Sequence, residues 1–172
     1  EFMKRHGIPT AESREFTSSL EAQEFCKTAR YPLVVKADGL ALGKGVVIAL
    51  TREEAEEAVY RSMDLLVFGE AGKKVVIEEF LTGVECSIHA LIDGDSYVLF
   101  PDAKDHKRAL DGDQGLNTGG MGTISPSRTL TPELHEKVKT EVLDRFVAGI
   151  KADGIPFKGM LFPGLMITAD GL

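Results

Sequence analysis

The chain has 172 residues, of which 27% are charged and 43% hydrophobic, and its net charge is −7. This composition is typical of a globular protein with one domain or two small lobes. It contains no apolar run long enough for a membrane helix, and its acidic charge argues against a nucleic-acid partner. Cys26 and Cys86 are too few for a disulfide framework or a cysteine-based metal site, so we expect a cytoplasmic protein without a membrane partner.

Residues 8–80 predict two helices on a small sheet. Ser18 and Thr51 are the predicted N-caps, because each is followed three residues later by a glutamate, as in a capping box. Short apolar runs predict three strands, over 33–36, 46–49 and 75–77.

Residues 81–172 predict a second and different set of elements. We expect strands over 85–92, 96–100 and 159–168, and a long helix that starts at Thr131 and Pro132. The polar, glycine-rich stretch 102–125 is longer than an ordinary loop, which indicates function or mobility. Asp170 and Gly171 form a hairpin signal that no strand follows, so the sequence looks incomplete.

A glycine-rich loop between the first two strands is the densest signal in the sequence. It contains Gly39, Gly43, Lys44 and Gly45 and follows Lys36, which ends a strand. Glycines let backbone N–H groups approach phosphate oxygens, and lysines supply the countercharge. The spacing and the strand-to-strand setting exclude a Walker A loop. The segment is therefore a phosphate-covering loop or a mobile hairpin loop with solvated lysines. Lys36 favours the first, because a buried ammonium group needs an anion.

An acidic segment follows the third strand. It contains Glu78, Glu79, Phe80 and Leu81, and Glu85 comes shortly after. A strand that runs into a linker can present its backbone to the edge of an adenine, and a nearby carboxylate can accept hydrogen bonds from ribose hydroxyls. Taken alone, the segment is better explained as an ordinary strand end with solvated carboxylates than as a nucleotide site.

Two polar motifs lie within the stretch 102–125. In the first, Lys107 and Arg108 suit a phosphate or a carboxylate, and Asp105 suits an ammonium group. Alternatively, the basic pair is simply solvated, and His106 is either an acid–base group or a structural histidine. The second motif, an anion-binding backbone stretch or a plain glycine-rich turn, consists of Asn117, Thr118, Gly119, Gly120, Met121 and Gly122.

In combination, these segments resemble the ATP-grasp superfamily, in which a flexible glycine loop and a lysine-bearing strand cover the phosphates of ATP. The motifs at 105–108 and 117–122 narrow the resemblance to the glycinamide ribonucleotide synthetase family, and the similarity extends over nearly all of the chain. The resemblance implies an α+β ATP-grasp fold with a first lobe at 8–80, an incomplete second lobe at 81–172 and the nucleotide between the lobes.

The resemblance also implies roles for individual residues. It implies ATP contacts at Lys36, Gly39, Gly43, Lys44, Gly45, Glu78, Glu79, Phe80, Leu81 and Glu85. It implies catalytic roles for Asp105, Lys107 and Arg108, and substrate contacts at His106, Asn117, Thr118, Gly119, Gly120, Met121 and Gly122. The chain departs from the family's usual residues at Lys104, Leu116 and Phe162-Pro163, which affects the detailed contacts of the substrate segment.

The implied reaction is the ATP-dependent ligation of glycine to 5-phosphoribosylamine through a glycyl phosphate, a step of de novo purine biosynthesis. It requires Mg²⁺ or Mn²⁺, and the family's metal ligands follow the position at which this chain ends, Leu172. An N-terminal domain of the family precedes the first residue. We therefore expect no metal site in this segment and no ligase activity of the segment alone. The alternatives are another ATP-grasp carboxylate–amine ligase and a nucleotide-binding module without catalysis.

Overall fold

A computed structural model describes residues 1–41, 45–112, 114–169 and 171–172, and of Leu116 and Asn117 only the backbone. The chain divides into two compact units. The first unit is Ala11–Leu81, and the second unit is Glu1–Thr10 together with Thr82–Leu172. Residues 8–10, which we expected in the first lobe, therefore belong to the second unit.

The N-terminal residues belong to the second unit because a short helix, α1 (Phe2–Arg5), packs on it. The ring of Phe2 lies 5.6 Å from that of Phe146, and Arg5 Nη2 lies 2.7 Å from Asp153 Oδ2. These contacts join residues that are far apart in the chain, so the local hydrophobic pattern did not predict them.

The first unit is a four-stranded antiparallel sheet with two helices on one face. Its strands are β1 (Ser13–Phe16), β2 (Leu33–Ala37), β3 (Val46–Ala49) and β4 (Val75–Glu79), in the spatial order β1-β4-β2-β3. The helices are α2 (Ser19–Thr28) and α3 (Arg52–Val59), followed by a π-helical turn (Tyr60–Asp64) and a 3-10 turn (Gly69–Gly72). Alternate strand residues such as Val35 and Ile77 are buried with Cys26 of α2 and Val59 of α3, and they form the core of this unit.

The predicted N-caps of α2 and α3 are confirmed. Ser18 Oγ accepts a hydrogen bond from the N–H of Glu21 at 3.4 Å, and Thr51 Oγ1 accepts one from Glu54 at 3.3 Å. Each bond satisfies an N–H that the start of a helix leaves without a helical partner, and such a cap stabilises a helix by about 1 kcal/mol. The three predicted strands are confirmed as β2, β3 and β4. We did not predict β1, because its sequence, Ser-Arg-Glu-Phe, contains no apolar run.

The strands described in the second unit pair in small antiparallel sheets. In chain order they are β5 (Val84–Ser87), β6 (Ala90–Ile92), β7 (Tyr97–Leu99), β8 (Lys104–Asp105), β9 (Arg108–Leu110), β10 (Gln114–Asn117), β11 (Thr123–Ile124), β12 (Gly159–Leu161) and β13 (Gly164–Ile167). Strand β6 lies between β7 and β12, while β5 pairs with β13, β8 with β11, and β9 with β10.

A helical segment packs on these strands and begins at the predicted Pro132. It consists of α4 (Pro132–Lys137), a π-helical stretch (Val138–Leu143) and α5 (Asp144–Ala152). Its buried residues, including Leu143 and Ile150, form the core of the second unit with Ile88 and Ile92. No helix in the described ranges is long and apolar enough to cross a membrane.

Two of the predicted strands are each divided in two. Residues 85–92 form β5 and β6, and residues 159–168 form β12 and β13. Both breaks lie at one place, where Ile88 donates its N–H to the carbonyl of Pro163 at 3.1 Å. Proline has no N–H to return to the ladder, so regular pairing stops there. A continuous apolar run does not reveal this interruption.

The stretch 102–125 is more regular than its composition indicated. Asp105 pairs with Thr123 between β8 and β11, and β9 pairs with β10 just beyond. Strands of two to four residues are too short to leave a periodic pattern in a sequence, although their pairing satisfies backbone groups. We call residues 104–124 the ribbon.

Candidate functional site

The face of the first-unit sheet opposite its helices is the first candidate site. Cross-strand pairing brings together six residues on this face, which we call the open face: Val34, Lys36, Val46, Ile48, Val76 and Glu78. Val46 and Ile48 are half exposed, at 53% and 50%. These six residues therefore combine an apolar surface with a pair of opposite charges.

That pair is Lys36 and Glu78, both of which we predicted as site residues. The Nζ of Lys36 donates a hydrogen bond to Oε2 of Glu78. The side chains are 40% and 23% exposed, and an ion pair in contact with water contributes little to stability. Both charges therefore remain accessible to a ligand.

Three predicted nucleotide contacts do not belong to the open face. Side chains alternate along a strand, so Glu79 lies on the opposite face from Glu78. Its Oε1 accepts a hydrogen bond from the N–H of Glu12 at 2.8 Å, and its own N–H donates to the Glu12 carbonyl at 2.9 Å. Phe80 and Leu81 follow the end of β4. Nucleotide contacts of these three residues stay predictions.

The glycines of the predicted phosphate loop that the structure describes are needed for packing. A Cβ on Gly39 would lie 2.6 Å from Cα of Ala71, and one on Gly45 would lie 2.6 Å from Cβ of Ala41. Packing thus explains both glycines, and their contact with phosphate stays a prediction. Gly43 and Lys44 lie outside the described residues.

A further charged cluster at this sheet was not predicted. Lys74 Nζ lies 2.7 Å from Glu15 Oε2 and 3.3 Å from Asp38 Oδ2. These hydrogen bonds, the one to Glu15 first, raise the pKa of Lys74 above its ordinary value. The alternation that aligns Val76 with Glu78 extends back to residue 74, so this pattern could have revealed the lysine.

In the second unit, the ribbon brings the two predicted substrate motifs side by side. Asp105 Oδ1 accepts a hydrogen bond from Thr123 Oγ1 at 3.5 Å. A Cβ on Gly120 would lie 2.9 Å from the same oxygen, and Gly120 has a φ of 122°, which side chains rarely adopt. Gly120 therefore allows the backbone to approach the Asp105 carboxylate closely.

Backbone hydrogen bonds fasten one motif to the other. His106 donates its N–H to the carbonyl of Gly122 at 2.9 Å and accepts from the N–H of Met121 at 2.7 Å. The N–H of Thr118 donates to the carbonyl of Lys107 at 2.6 Å. Loss of one motif would therefore also displace the other.

The remaining side chains of the two motifs make different contacts. Lys107 Nζ lies 2.7 Å from Glu85 Oε2, which places Glu85, a predicted nucleotide contact, beside a predicted catalytic residue. Arg108 Nη1 donates to the carbonyl of Gly115 at 2.8 Å. A Cβ on Gly119 would meet no atom of the described residues within 4 Å. The side chain of Asn117 lies outside the described residues.

An open cavity of about 540 Å³ lies along the ribbon. Its lining consists of Lys104, His106, Arg108, Ala109, Leu110, Asp111, Gly112 and Met121. Within the part of the chain that the structure describes, neither Lys104 nor Arg108 forms an ion pair. Even with the Asp111 carboxylate, Lys104 and Arg108 give this lining a net positive charge, which suits an anionic group.

Comparison with known proteins identifies the family to which the chain is similar. The family described as phosphoribosylglycinamide synthetase, ATP-grasp (A) domain, matches residues 1–172. The phosphoribosylamine–glycine ligase of Ralstonia nicotianae is 49% identical over 170 residues, which are 99% of this chain and 40% of that protein. A bifunctional purine biosynthetic protein of Pichia angusta is 48% identical over 171 residues, 99% of this chain and 22% of that protein.

A solved structure is similar over the same range. The crystal structure of phosphoribosylamine–glycine ligase from Thermotoga maritima has a TM-score of 0.84 and 39% identity, and the match covers 99% of this chain and 43% of that one. The chain thus spans about 40% of the length of the single-function curated relatives it matches.

Proposed function

Because the chain belongs to the phosphoribosylglycinamide synthetase ATP-grasp (A) domain family, we propose that the complete protein joins glycine to 5-phosphoribosylamine with cleavage of ATP, in purine biosynthesis. The observation that carries this proposal is the family match over residues 1–172, since it includes both the open face and the ribbon.

The open face is the proposed surface for the nucleotide. Its exposed Val46 and Ile48 offer an apolar surface to a flat heterocyclic base, and burying them against a base would be favourable. The ammonium group of Lys36 would pass from Glu78 to the phosphates of ATP. In the absence of ATP, Glu78 keeps that ammonium group in position.

The ribbon is the proposed surface for the other substrates. The Asp105 carboxylate would accept hydrogen bonds from the ammonium group of glycine, while Lys107 would approach its carboxylate. The positively charged cavity lined by Lys104, His106 and Arg108 would take an anionic group such as the phosphate of 5-phosphoribosylamine.

The proposed reaction has two displacements. First, a carboxylate oxygen of glycine attacks the γ-phosphorus, the bond to ADP breaks, and glycyl phosphate forms. Then the amine of 5-phosphoribosylamine attacks the acyl carbon, inorganic phosphate leaves, and the nitrogen loses a proton. Positioning and neutralisation of negative charge supply most of the catalysis in such a reaction. Lys36 and Lys107 are the residues to which we assign that neutralisation.

The family resemblance also implies a metal ion. Within the described ranges there is no group of three or more His, Cys, Asp or Glu side chains that could hold one. Mg²⁺ in nucleotide sites is usually held by one or two carboxylates together with phosphate oxygens and water. We assign no metal ligand to this segment and derive no step through a metal.

The test is product analysis with the full-length protein. ADP release from ATP is measured with glycine alone, with 5-phosphoribosylamine alone, with both and with neither. The product is identified by mass. We expect ADP release only with both substrates, together with glycinamide ribonucleotide. ADP release that depends on bicarbonate or on another amino acid would replace the proposal by a different ATP-grasp ligase. Nucleotide binding without any release would indicate a binding module.

A further inference from the structure

We propose that Asp102 is a positioning residue: it links the chain segments that enter and leave the ribbon, at its base, and so helps to position Asp105. This inference rests on the proposed function. Asp102 was not predicted as a site residue. Among the described residues it is the one charged residue that is buried, which is why its contacts require an explanation.

The carboxylate of Asp102 is held by several donors. Its side chain is 4% exposed. Its Oδ2 accepts hydrogen bonds from the hydroxyl of Ser127 and, at 3.2 Å, from the N–H of Ser127, and Sγ of Cys86 lies 3.8 Å away. Its Oδ1 lies 3.7 Å from Nε2 of His135. A buried carboxylate is unfavourable unless it is hydrogen-bonded, so these donors account for its position.

The same residue also binds the chain just before Ser127. The backbone carbonyl of Asp102 accepts a hydrogen bond from Ser125 Oγ at 2.9 Å. Ser125 directly follows β11, and Asp102 lies two residues before the start of β8. Asp102 therefore ties together the two chain ends that enter and leave the ribbon.

The turn that Asp102 holds needs such support. Arg128 has a φ of 61°, a left-handed conformation that is unfavourable for a residue with a side chain. Ser127 Oγ accepts a hydrogen bond from the N–H of Thr129 at 3.0 Å, and Leu130 is buried in the core of the second unit. Ser127 thus connects the Asp102 carboxylate to a turn that is anchored in the core.

The arrangement is not that of a nucleophilic triad. In a triad the histidine lies between the hydroxyl and the carboxylate, so that it can accept the hydroxyl proton. Here the Ser127 hydroxyl donates directly to Asp102, and no hydrogen bond joins Ser127 to His135 in the described structure. Among the described residues the cluster therefore holds the chain in place without the histidine of a triad between hydroxyl and carboxylate.

The position of Asp105 is sensitive to Asp102 because the pairing between β8 and β11 is short. Only Lys104 with Ile124 and Asp105 with Thr123 pair between β8 and β11. Backbone hydrogen bonds continue the pairing on either side, from His106 to Gly122 and from Ala103 to Ser87. Two ladder pairs determine a register weakly, so the side-chain contacts of Asp102 add to these bonds in setting where Asp105 lies. Loosening Asp102 should weaken binding of the glycine ammonium group and leave the open face of the first unit unchanged.

The test compares four variants of the full-length protein: Asp102→Ala, Ser127→Ala, their combination and Asp102→Asn. The matched control is Asp95→Asn, an exposed aspartate of the same unit whose carboxylate lies 2.9 Å from Lys151 Nζ. We measure amide hydrogen exchange over 104–124 and, separately, the KM values for glycine and for ATP. Melting temperatures exclude variants that do not fold.

We expect amides of β8 and β11 to exchange about tenfold faster in Asp102→Ala and Ser127→Ala, the effect of losing a hydrogen bond to a charged acceptor. The KM for glycine should rise by about the same factor, with the KM for ATP unchanged. The effects of the double variant should be less than additive, because both changes break the link between Ser127 and Asp102, while Ser127→Ala also removes the acceptor of the Thr129 N–H. Asp102→Asn, which keeps the shape and one acceptor oxygen, should be intermediate.

The proposal is overturned if exchange and the glycine KM of Asp102→Ala and Ser127→Ala equal those of Asp95→Asn. If Asp102→Ala does not fold, the exchange rates and glycine KM of Ser127→Ala and Asp102→Asn are compared with those of Asp95→Asn instead. If the unmodified protein shows no glycine-dependent ADP release, the proposed function has failed. Hydrogen exchange then still decides whether Asp102 closes the ribbon.

Discussion

Lys107 Nζ lies 2.7 Å from Glu85 Oε2, and the Lys107 side chain is 44% exposed. An ion pair in this setting stabilises a fold by less than about 1 kcal/mol. We therefore expect Lys107→Met to leave the melting temperature nearly unchanged. If Lys107 neutralises charge in the reaction, kcat for ADP release should fall by about a hundredfold.

Lys139→Met is the matched control for this change. Lys139 is also 44% exposed and its Nζ lies 3.2 Å from Glu136 Oε2 in the same unit, but on a helix that carries no predicted site residue. Its kcat should equal that of the unmodified protein. Equal kcat values for both variants would remove Lys107 from the reaction.

Lys36 gives the corresponding prediction for the nucleotide. If Lys36 faces the phosphates as proposed, Lys36→Ala should reduce turnover at saturating ATP by about a hundredfold or more, because that positive charge is lost. Lys27→Ala is the control, since the Lys27 side chain is 41% exposed, against 40% for Lys36, and is also paired with a glutamate in the first unit. A near-normal rate for Lys36→Ala would refute its role.

The fold could be predicted where the signals are local. Ser18 and Thr51 cap their helices because a side-chain oxygen lies near N–H groups three residues later, which a sequence shows directly. The family match also confirms the predicted α+β fold of the ATP-grasp type. Whether the nucleotide lies between two lobes stays a prediction. The break at Pro163 was missed, because it interrupts two strands that are paired only in three dimensions.

The candidate site, too, could be predicted only where the signals in the sequence are local. Lys36 and Glu78 lie on one face as strand alternation requires, and Glu79 lies on the other face for the same reason. By contrast, the contact of Lys107 with Glu85 joins positions 22 residues apart and depends on how the ribbon lies against β5. Asp102 gave no signal at all, since one aspartate in a polar stretch looks solvated until its burial is known.

Cys26 leads to a prediction about pH. Burial, and then the nearby charge of Glu56, raises the pKa of its thiol to about 11, whereas an unfolded chain has a thiol pKa of about 8.5. Between these pH values the unfolded chain releases a proton that the folded chain retains. The unfolded state then binds fewer protons, so stability falls as pH rises.

The measurement is the melting temperature of the unmodified protein and of Cys26→Ala at pH 8 and pH 10. The loss between the two pH values should be larger for the unmodified protein by several degrees, roughly the effect of 2 kcal/mol. Identical losses would show that the Cys26 thiol is not protected from ionisation in the folded chain.

Gly119 and Gly120 are adjacent but differ in their surroundings. Gly120 has a φ of 122°, and its Cβ would lie 2.9 Å from Asp105 Oδ1, whereas a Cβ on Gly119 would meet no atom of the described residues within 4 Å. Gly120→Ala must therefore either change the backbone or push the Asp105 carboxylate aside. Since we assign the glycine ammonium group to that carboxylate, the KM for glycine should rise about tenfold or more.

Gly119→Ala, the control, should leave the KM for glycine within about twofold, because it adds one methyl group that contacts no described residue. Steady-state rates at varied glycine and saturating ATP decide the matter, and equal KM values for the two variants would show that Asp105 does not bind glycine.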